Sequence, residues 1–430
     1  MLQPFHRTSC CSSTRGSFST PLRRRCYQYR GLGRRAISTQ PAESATSPLQ
    51  KCRIYRQILL WGYHSIEVDD KLNHRDQIVD KLGQGGYSTI WLARDQELNK
   101  YVTIKVGTAD QVSEEIYILF RLAENPSKEF SGRLTTPVLD QFTVNGPNCT
   151  HSCIVTAPAK CSVAKSIKTS RYISFRLDVA RALSAQLIMA TEYVHRAGFV
   201  HGDIHLRNVL LQLPGFEIDK LSIQQVYEKY YKPEAYPVTR NDGQPVASAS
   251  VPKNVYTPNW LGKPSDEVLL PEAKLWLADF GTAFKPSQET RLMSYTHLQN
   301  RPPEAKFDPT QPLMFSSDIW SLGLMVWEVM GDGSFMNSFI FNWDEVIADQ
   351  VDTLGLLPQE WWEKWEAKLN EFEEDGQPKG QQEYWSLEKR FHMNMQDLRM
   401  EEGTEQMDHD EIHAFLDMIK GCYASDQKSV

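Results

Sequence analysis

Two short segments of this chain, each with a single Asp, carry residue types that phosphoryl transfer requires. In Val200-His201-Gly202-Asp203-Ile204-His205-Leu206-Arg207-Asn208 an Asp precedes an Asn by five residues. That spacing can place a base and a metal ligand in one loop. Leu277-Ala278-Asp279-Phe280-Gly281 supplies a second acid, bounded by a flexible Gly. Upstream, Leu82-Gly83-Gln84-Gly85-Gly86-Tyr87-Ser88-Thr89-Ile90-Trp91 reads as a glycine-rich turn between two strand-like runs. Glycines there let backbone amides approach phosphate oxygens closely. Val102-Thr103-Ile104-Lys105 ends a strand on a lone Lys, which can neutralise phosphate charge if an acid holds it in place; Glu115 is the candidate acid. Phosphoryl transfer needs positioning and charge neutralisation more than covalent chemistry, and these are its parts.

The elements that must position these groups follow from periodicity. Residues 78–106 alternate apolar and polar side chains around glycines, the pattern of antiparallel strands. Residues 111–124 have helical spacing, with Ile116, Leu119, Phe120 and Ala123 on one face. Cys153 to Thr156 reads as a short buried strand and 175–197 as a long apolar-periodic helix. Residues 212–273, rich in Pro, Ser and Asn, predict an insert that is partly disordered. Trp320 to Met330 predicts a hydrophobic helix, and the acidic, Trp-rich stretch 359–412 predicts helices with loops.

Composition limits the possible functions. The chain has 430 residues, 41% of them hydrophobic, enough for a real core. No window approaches the ~18–20 uninterrupted apolar residues of a membrane span, so no membrane association is expected. The net charge is −7, but residues 1–50 hold eight Arg, no Lys and one acid, leaving −14 on the rest. An acidic body argues against nucleic acid and suits a basic partner. The eight Cys are scattered and predict no disulfide framework. Cys149-x-His151-x-Cys153 lacks a second ligand pair at zinc-like spacing. Residues 1–42 are Arg- and Ser-rich without an acid, which fits either a mitochondrial transit peptide or a disordered basic tail.

Taken in order, these segments resemble the eukaryotic protein kinases over roughly residues 78–430. Gly83 to Ile90 stand where that family has its glycine-rich loop, with Ser88 in place of the third Gly. Lys105 and Glu115 match its ion pair. His201-Gly202-Asp203 and Asn208 match its catalytic loop, and Asp279-Phe280-Gly281 is intact. Pro302-Pro303-Glu304 stands for Ala-Pro-Glu, and Asp318 to Gly323 matches a helix signature. Tyr87 to Asp95, Cys153-Ile154-Val155, the insert and Gln299-x-Arg301 further resemble the SR-protein kinases and their fungal relatives.

The resemblance implies an α+β, two-lobed fold: a basic or disordered segment at 1–50, a small β-rich N-lobe with its lead-in at 51–157, and a larger helical C-lobe at 158–430. It implies ATP- and Mg2+-dependent phosphorylation of Ser or Thr in basic or Arg/Ser-rich proteins by a monomer of cytoplasm or nucleus, or of the mitochondrion if the first forty residues are a transit peptide. Asp203 would be the base, with Lys105 and Glu115 the ion pair. Gly83, Gly85, Gly86, Ser88, Ile90, Lys105, Ala157 and Ala159 would hold ATP, and Asn208 and Asp279 would hold Mg2+.

Four positions depart from the family pattern. His205 replaces the catalytic-loop Lys, and Gly202 replaces an Arg that receives an activating phosphate in many kinases. His297 replaces a Ser or Thr, and the expected Arg partner of Glu304 has at best Lys428 in its place. His-Gly-Asp-x-His-x-x-Asn also resembles aminoglycoside and choline kinases. A catalytically inactive binding module is the other alternative.

Overall fold

A computed structural model describes residues 62–109, 114–124, 134–171, 175–239, 248, 250–336, 342–379 and 385–423. The chain divides into two units at Lys51 and Cys52, and every described residue lies in the second. The readings placed on residues 1–50 and on Lys428 therefore fall outside the described residues.

The alternating run at 78–106 forms three antiparallel strands, β2 (Asp76–Gln84), β3 (Ser88–Asp95) and β4 (Lys100–Gly107), after a short β1 (Lys71–Leu72). Helix α1 (Glu115–Ala123) follows. Strands β5 (Val138–Gly146) and β6 (Cys149–Thr156) complete a six-stranded sheet of order β1-β2-β3-β4-β6-β5. Its buried positions include β-branched and aromatic residues, the types that fill a pleated surface. Trp91 and Ile104 pair across β3 and β4 and, with Val106 and Val155, bury one face against Ile66 and Tyr256. Leu92, one residue on, faces the other way and packs with Val79, Tyr101, Leu213 and Val226.

In α1 the structure corrects the predicted face. Glu115, Ile118, Leu119 and Leu122 are buried, whereas Phe120 and Ala123 are exposed and Ile116 is half-buried. The inner stripe is the i, i+3, i+4, i+7 set counted from a carboxylate, so apolar spacing alone gave the wrong phase.

A second sheet, β11-β8-β7, is built from β7 (Ala159–Ser162), β8 (Val209–Gln212) and β11 (Leu275–Leu277). The long helix α2 (Leu177–Arg196) buries Ala180, Leu183, Leu187, Ala190 and Val194, a continuous 3–4 stripe. These join α1 in one large core.

The described part of the insert carries a helix and a pair of strands. Gln212 belongs to β8, and helix α3 (Ile223–Tyr230) starts with a capping box in which Ser222 and Gln225 each bond the other's backbone. Its Tyr227 hydroxyl donates to the Val79 carbonyl, 3.0 Å away. Strands β9 (Ala235–Pro237) and β10 (Asn254–Tyr256) pair with each other. The Tyr256 hydroxyl donates to Glu67 at 2.8 Å, tying β10 to the segment that precedes β1. Residues 240–247 and 249 lie outside the described set. Helix α4 (Phe315–Met330), α5 (Trp343–Leu354) and α6 (His409–Cys422) complete the helical region. No described helix is long and apolar enough to cross a membrane.

The insert's far end is clamped electrostatically. Glu272 accepts from Lys160 at 2.9 Å, from Lys263 at 2.5 Å and from the Leu269 amide at 3.1 Å. Burial alone would raise this carboxyl, but the two ammonium groups hold it down to about 2. A folded pKa below the unfolded one gives stability that is full above the unfolded value and is lost as pH falls through the folded value. Glu272→Gln should therefore be less stable than the parent chain at pH 7 by urea denaturation. The gap should shrink as pH drops from about 4.5 toward 2; a gap independent of pH would refute the clamp.

Candidate active site

The Lys105 ammonium is the meeting point of three elements. It projects from β4 and donates to both Glu115 oxygens, at 2.9 and 2.7 Å, and to Asp279 Oδ1 at 2.7 Å. Glu115 is buried in the first turn of α1, where the helix dipole also favours a negative charge. Burial lowers the Lys105 pKa, but the two carboxylates outweigh it and hold the group above its ordinary value. Burial likewise raises the Asp279 carboxyl, and the Lys105 ammonium more than reverses this, leaving it below its usual range. Asp279 adopts a left-handed backbone, φ 66°, which turns it out of β11, while Phe280 beyond it is fully buried in the core.

The loop carrying Asp203 is fixed by a buried acid that sequence reading named only as part of a helix signature. Asp318, in the first turn of α4, accepts from the His201 amide at 2.7 Å and the Gly202 amide at 2.9 Å. His195 Nε2 stands 2.9 Å from the same carboxylate. The His201 ring is placed as firmly. Its Nδ1 accepts from the Asp203 amide at 3.3 Å, so Nε2 carries the proton and donates to the Ala278 carbonyl at 3.1 Å. His201 thus ties the Asp203 loop to the residue before Asp279.

Asn208 makes the same connection twice. Its Nδ2 donates to the Asp203 carbonyl at 3.0 Å, and its own carbonyl accepts from the Ala278 amide at 2.9 Å. With Nδ2 engaged, Oδ1 is the atom that side chain can offer to a cation. Asp203 is partly exposed, and His205 Nε2 lies 3.5 Å from its Oδ2. Burial lowers the His205 pKa, but the Asp203 carboxylate outweighs it and the net shift is upward. Glu328 on α4 is a group that sequence reading missed. Burial pushes its carboxyl up to about 7 against the opposing effects of Ser334 and His205. No spacing rule pointed to it, because a lone acid late in an apolar helix has no motif.

The glycine-rich segment forms the β2–β3 hairpin: β2 ends at Gln84, β3 starts at Ser88, and the Gly85 amide donates to the Ser88 carbonyl at 2.9 Å. Gly83 pairs with Ile90 across the strands, and Ile90 pairs with Lys105, so the turn and the lysine share one face of the sheet. Ala157 lies between β6 and β7, and Ala159 opens β7.

Gly202 is required by the backbone as well as lacking a charged side chain. Its φ is +78°, and a Cβ would sit 3.0 Å from the Thr282 carbonyl oxygen. That oxygen also accepts from Arg291 Nη1 at 2.5 Å, and the Arg291 guanidinium lies 4.7 Å from the Phe284 ring centre. Arg301 donates to the Thr296 and Ser294 carbonyls at 2.8 and 3.2 Å. Burial lifts the Glu304 carboxyl above its usual range.

Gly198 gives an internal control, since its φ is +83° but no atom lies within 4 Å of a Cβ there. Gly198→Ala should cost only the ~1–2 kcal/mol of a left-handed non-glycine residue. Gly202→Ala should cost measurably more, because the Thr282 carbonyl must also move. Equal losses by thermal unfolding would show that the close approach carries no energy.

The sheet, the helical region and this constellation define a mixed α/β protein consistent with a protein-kinase fold. The chain is homologous to curated serine/threonine protein kinases, and among them it resembles the SR-protein kinases. It is 32% identical over 163 residues to the serine/threonine-protein kinase spk-1 of Caenorhabditis elegans, an alignment covering 36% of this chain and 16% of the relative. It is 31% identical over 157 residues to protein kinase dsk1 of Schizosaccharomyces pombe, covering 35% and 29%. SRSF protein kinase 3 of Homo sapiens is 26% identical over 169 residues, covering 38% and 30%. The chain thus spans less than a third of the length of these relatives. No family model matches it.

Proposed function

We propose that this chain is an ATP- and Mg2+-dependent serine/threonine protein kinase of two lobes, divided near residue 157, acting on basic or Arg/Ser-rich proteins. The observation that carries this reading is the Lys105 ammonium bound at once to Glu115 and to Asp279, a residue 174 positions away. Such convergence of a strand lysine, a helix acid and a loop acid beside a glycine-rich turn suits binding of a polyphosphate and little else.

In this reading Gly83, Gly85, Gly86, Ser88 and Ile90 line the phosphates, and backbone groups of Ala157 and Ala159 meet adenine. Lys105 neutralises the α- and β-phosphates while Glu115 fixes its position. Asp203 orients the acceptor hydroxyl and takes its proton. Asn208 Oδ1 and the Asp279 carboxylate are hard oxygen donors of the kind Mg2+ selects. Mg2+ held there would screen the phosphate charge. His205, beside Asp203, occupies the position of a lysine in the family pattern and brings a proton-dependent charge to the acceptor side.

The assigned roles separate in kinetics. Asp203→Ala should lower kcat by ~10²-fold or more while leaving ATP affinity nearly unchanged. Asp279→Ala should abolish Mg2+-dependent ATP binding. Parent-like turnover in either variant would overturn the assignment.

The substrate class rests on the acidic body and on exposed acids such as Glu373, Glu374, Asp375 and Glu401. Transfer of the labelled γ-phosphoryl group should go to an Arg/Ser peptide in preference to a generic basic protein, and not to choline or an aminoglycoside. Transfer to the small hydroxyl compounds would identify a small-molecule kinase. ATP binding without transfer to any of the four would identify a binding module.

A further inference from the structure

The glycine-rich turn is held from outside the kinase-like motifs. The Tyr63 hydroxyl stands 2.6 Å from the Gly85 carbonyl and 2.7 Å from the Gly86 carbonyl, a shared hydrogen bond from one donor. Tyr63 is only 2% exposed. Burial, and then the neighbouring Tyr87, push its pKa upward, so the phenol keeps the proton it donates. Its main chain is fixed on both sides. The Gly62 carbonyl accepts from the Ala109 amide at 2.9 Å, and the Tyr63 carbonyl accepts from Asn148 Nδ2 at 2.8 Å. Asn148 Nδ2 also donates to the Ser250 carbonyl of the insert at 2.8 Å. A second hold comes from β2 itself, where the Lys81 ammonium, 5% exposed, donates to Gln84 Oε1 at 2.8 Å.

Gly85 and Gly86 are themselves exposed, and a Cβ at either would meet nothing closer than the Ser88 hydroxyl at 3.9 Å. A glycine turn in that setting samples many conformations, and ordering it on a ligand costs backbone entropy. A buried, immobile phenol bonded to both carbonyls restricts those conformations before any ligand arrives.

We propose that Tyr63 is a positioning residue that pre-organises the glycine-rich turn for nucleotide phosphates, so that the segment preceding β1 sets nucleotide affinity. The proposal rests on the reading of that turn as the ATP cradle. In that reading Lys105 meets the α- and β-phosphates and Asp279 holds Mg2+, whereas Tyr63 acts only through the shape of the turn.

The test uses the full chain and a fluorescent ATP analogue with Mg2+, together with amide hydrogen exchange across residues 84–88. Tyr63→Phe removes one oxygen and keeps the buried ring. It should weaken nucleotide binding about five- to tenfold, the worth of one hydrogen bond, and raise KM for ATP equally. It should also speed exchange at 84–88, with kcat within about twofold. Tyr256→Phe is the matched control, because it removes a hydroxyl bonded to Glu67 in the same covering layer without touching the turn. It should leave affinity and exchange at 84–88 unchanged. Parent-like affinity in Tyr63→Phe would overturn the proposal, as would equal weakening in both variants, which would make the cover merely structural. Failure of the parent chain to bind the nucleotide would instead refute the cradle reading itself.

Discussion

A buried ammonium needs carboxylates, and the only way to supply two to Lys105 is to bring together parts of the chain that local structure keeps apart. Glu115 arrives on a helix and Asp279 at the end of a strand from a different sheet. If either acid is withdrawn, Lys105 remains in a site that burial makes hostile to its charge. The electrostatics therefore constrain the geometry: α1 must lie with its first turn against β4, and Asp279 must leave β11 with a left-handed backbone. The stripe Ile118, Leu119 and Leu122 then falls on the core side because the helix has been rotated to deliver Glu115.

A second buried charge organises the other half of the site. Asp318 gathers two consecutive amides and an imidazole, and so shapes the loop from which Asp203 emerges. His201 and Asn208 then lock that loop to Ala278. Asp203 and Asp279 are thus held in fixed relation by hydrogen bonds between their two loops, and Asp279 is held further by Lys105.

Much of this was legible in the sequence wherever chemistry and local pattern coincide. The glycine turn, Lys105, Glu115, Asp203, Asn208 and Asp279 were marked by residue type and order, and the strands at 78–106 and the helix at 177–196 by periodicity. The readings failed where a residue's role depends on a distant partner. Apolar counting misphased α1 because its buried face includes a carboxylate. The helix and strand pair in the described part of the Pro-, Ser- and Asn-rich insert gave no sequence signal, because their order derives from contacts such as Tyr227 to Val79 and Tyr256 to Glu67. Tyr63 had no signal at all: a lone tyrosine before the first strand matches no spacing rule. Gly202 was visible as a missing arginine but not as a position that its backbone reserves for glycine.

The covering layer over Trp91 and Ile104 has a consequence for synthesis. The sheet strands occupy residues 71–156, yet Tyr256, which shields their face, lies a hundred positions further along. At a ribosomal rate of about 5–20 residues per second, that apolar face lacks its Tyr256 cover for roughly 5–20 s after the last strand has been made. During that interval it presents tryptophan and branched aliphatic side chains on a surface already rich in β-structure. Completion of that core thus waits on translation, and slow codons between residues 160 and 250 would lengthen the wait.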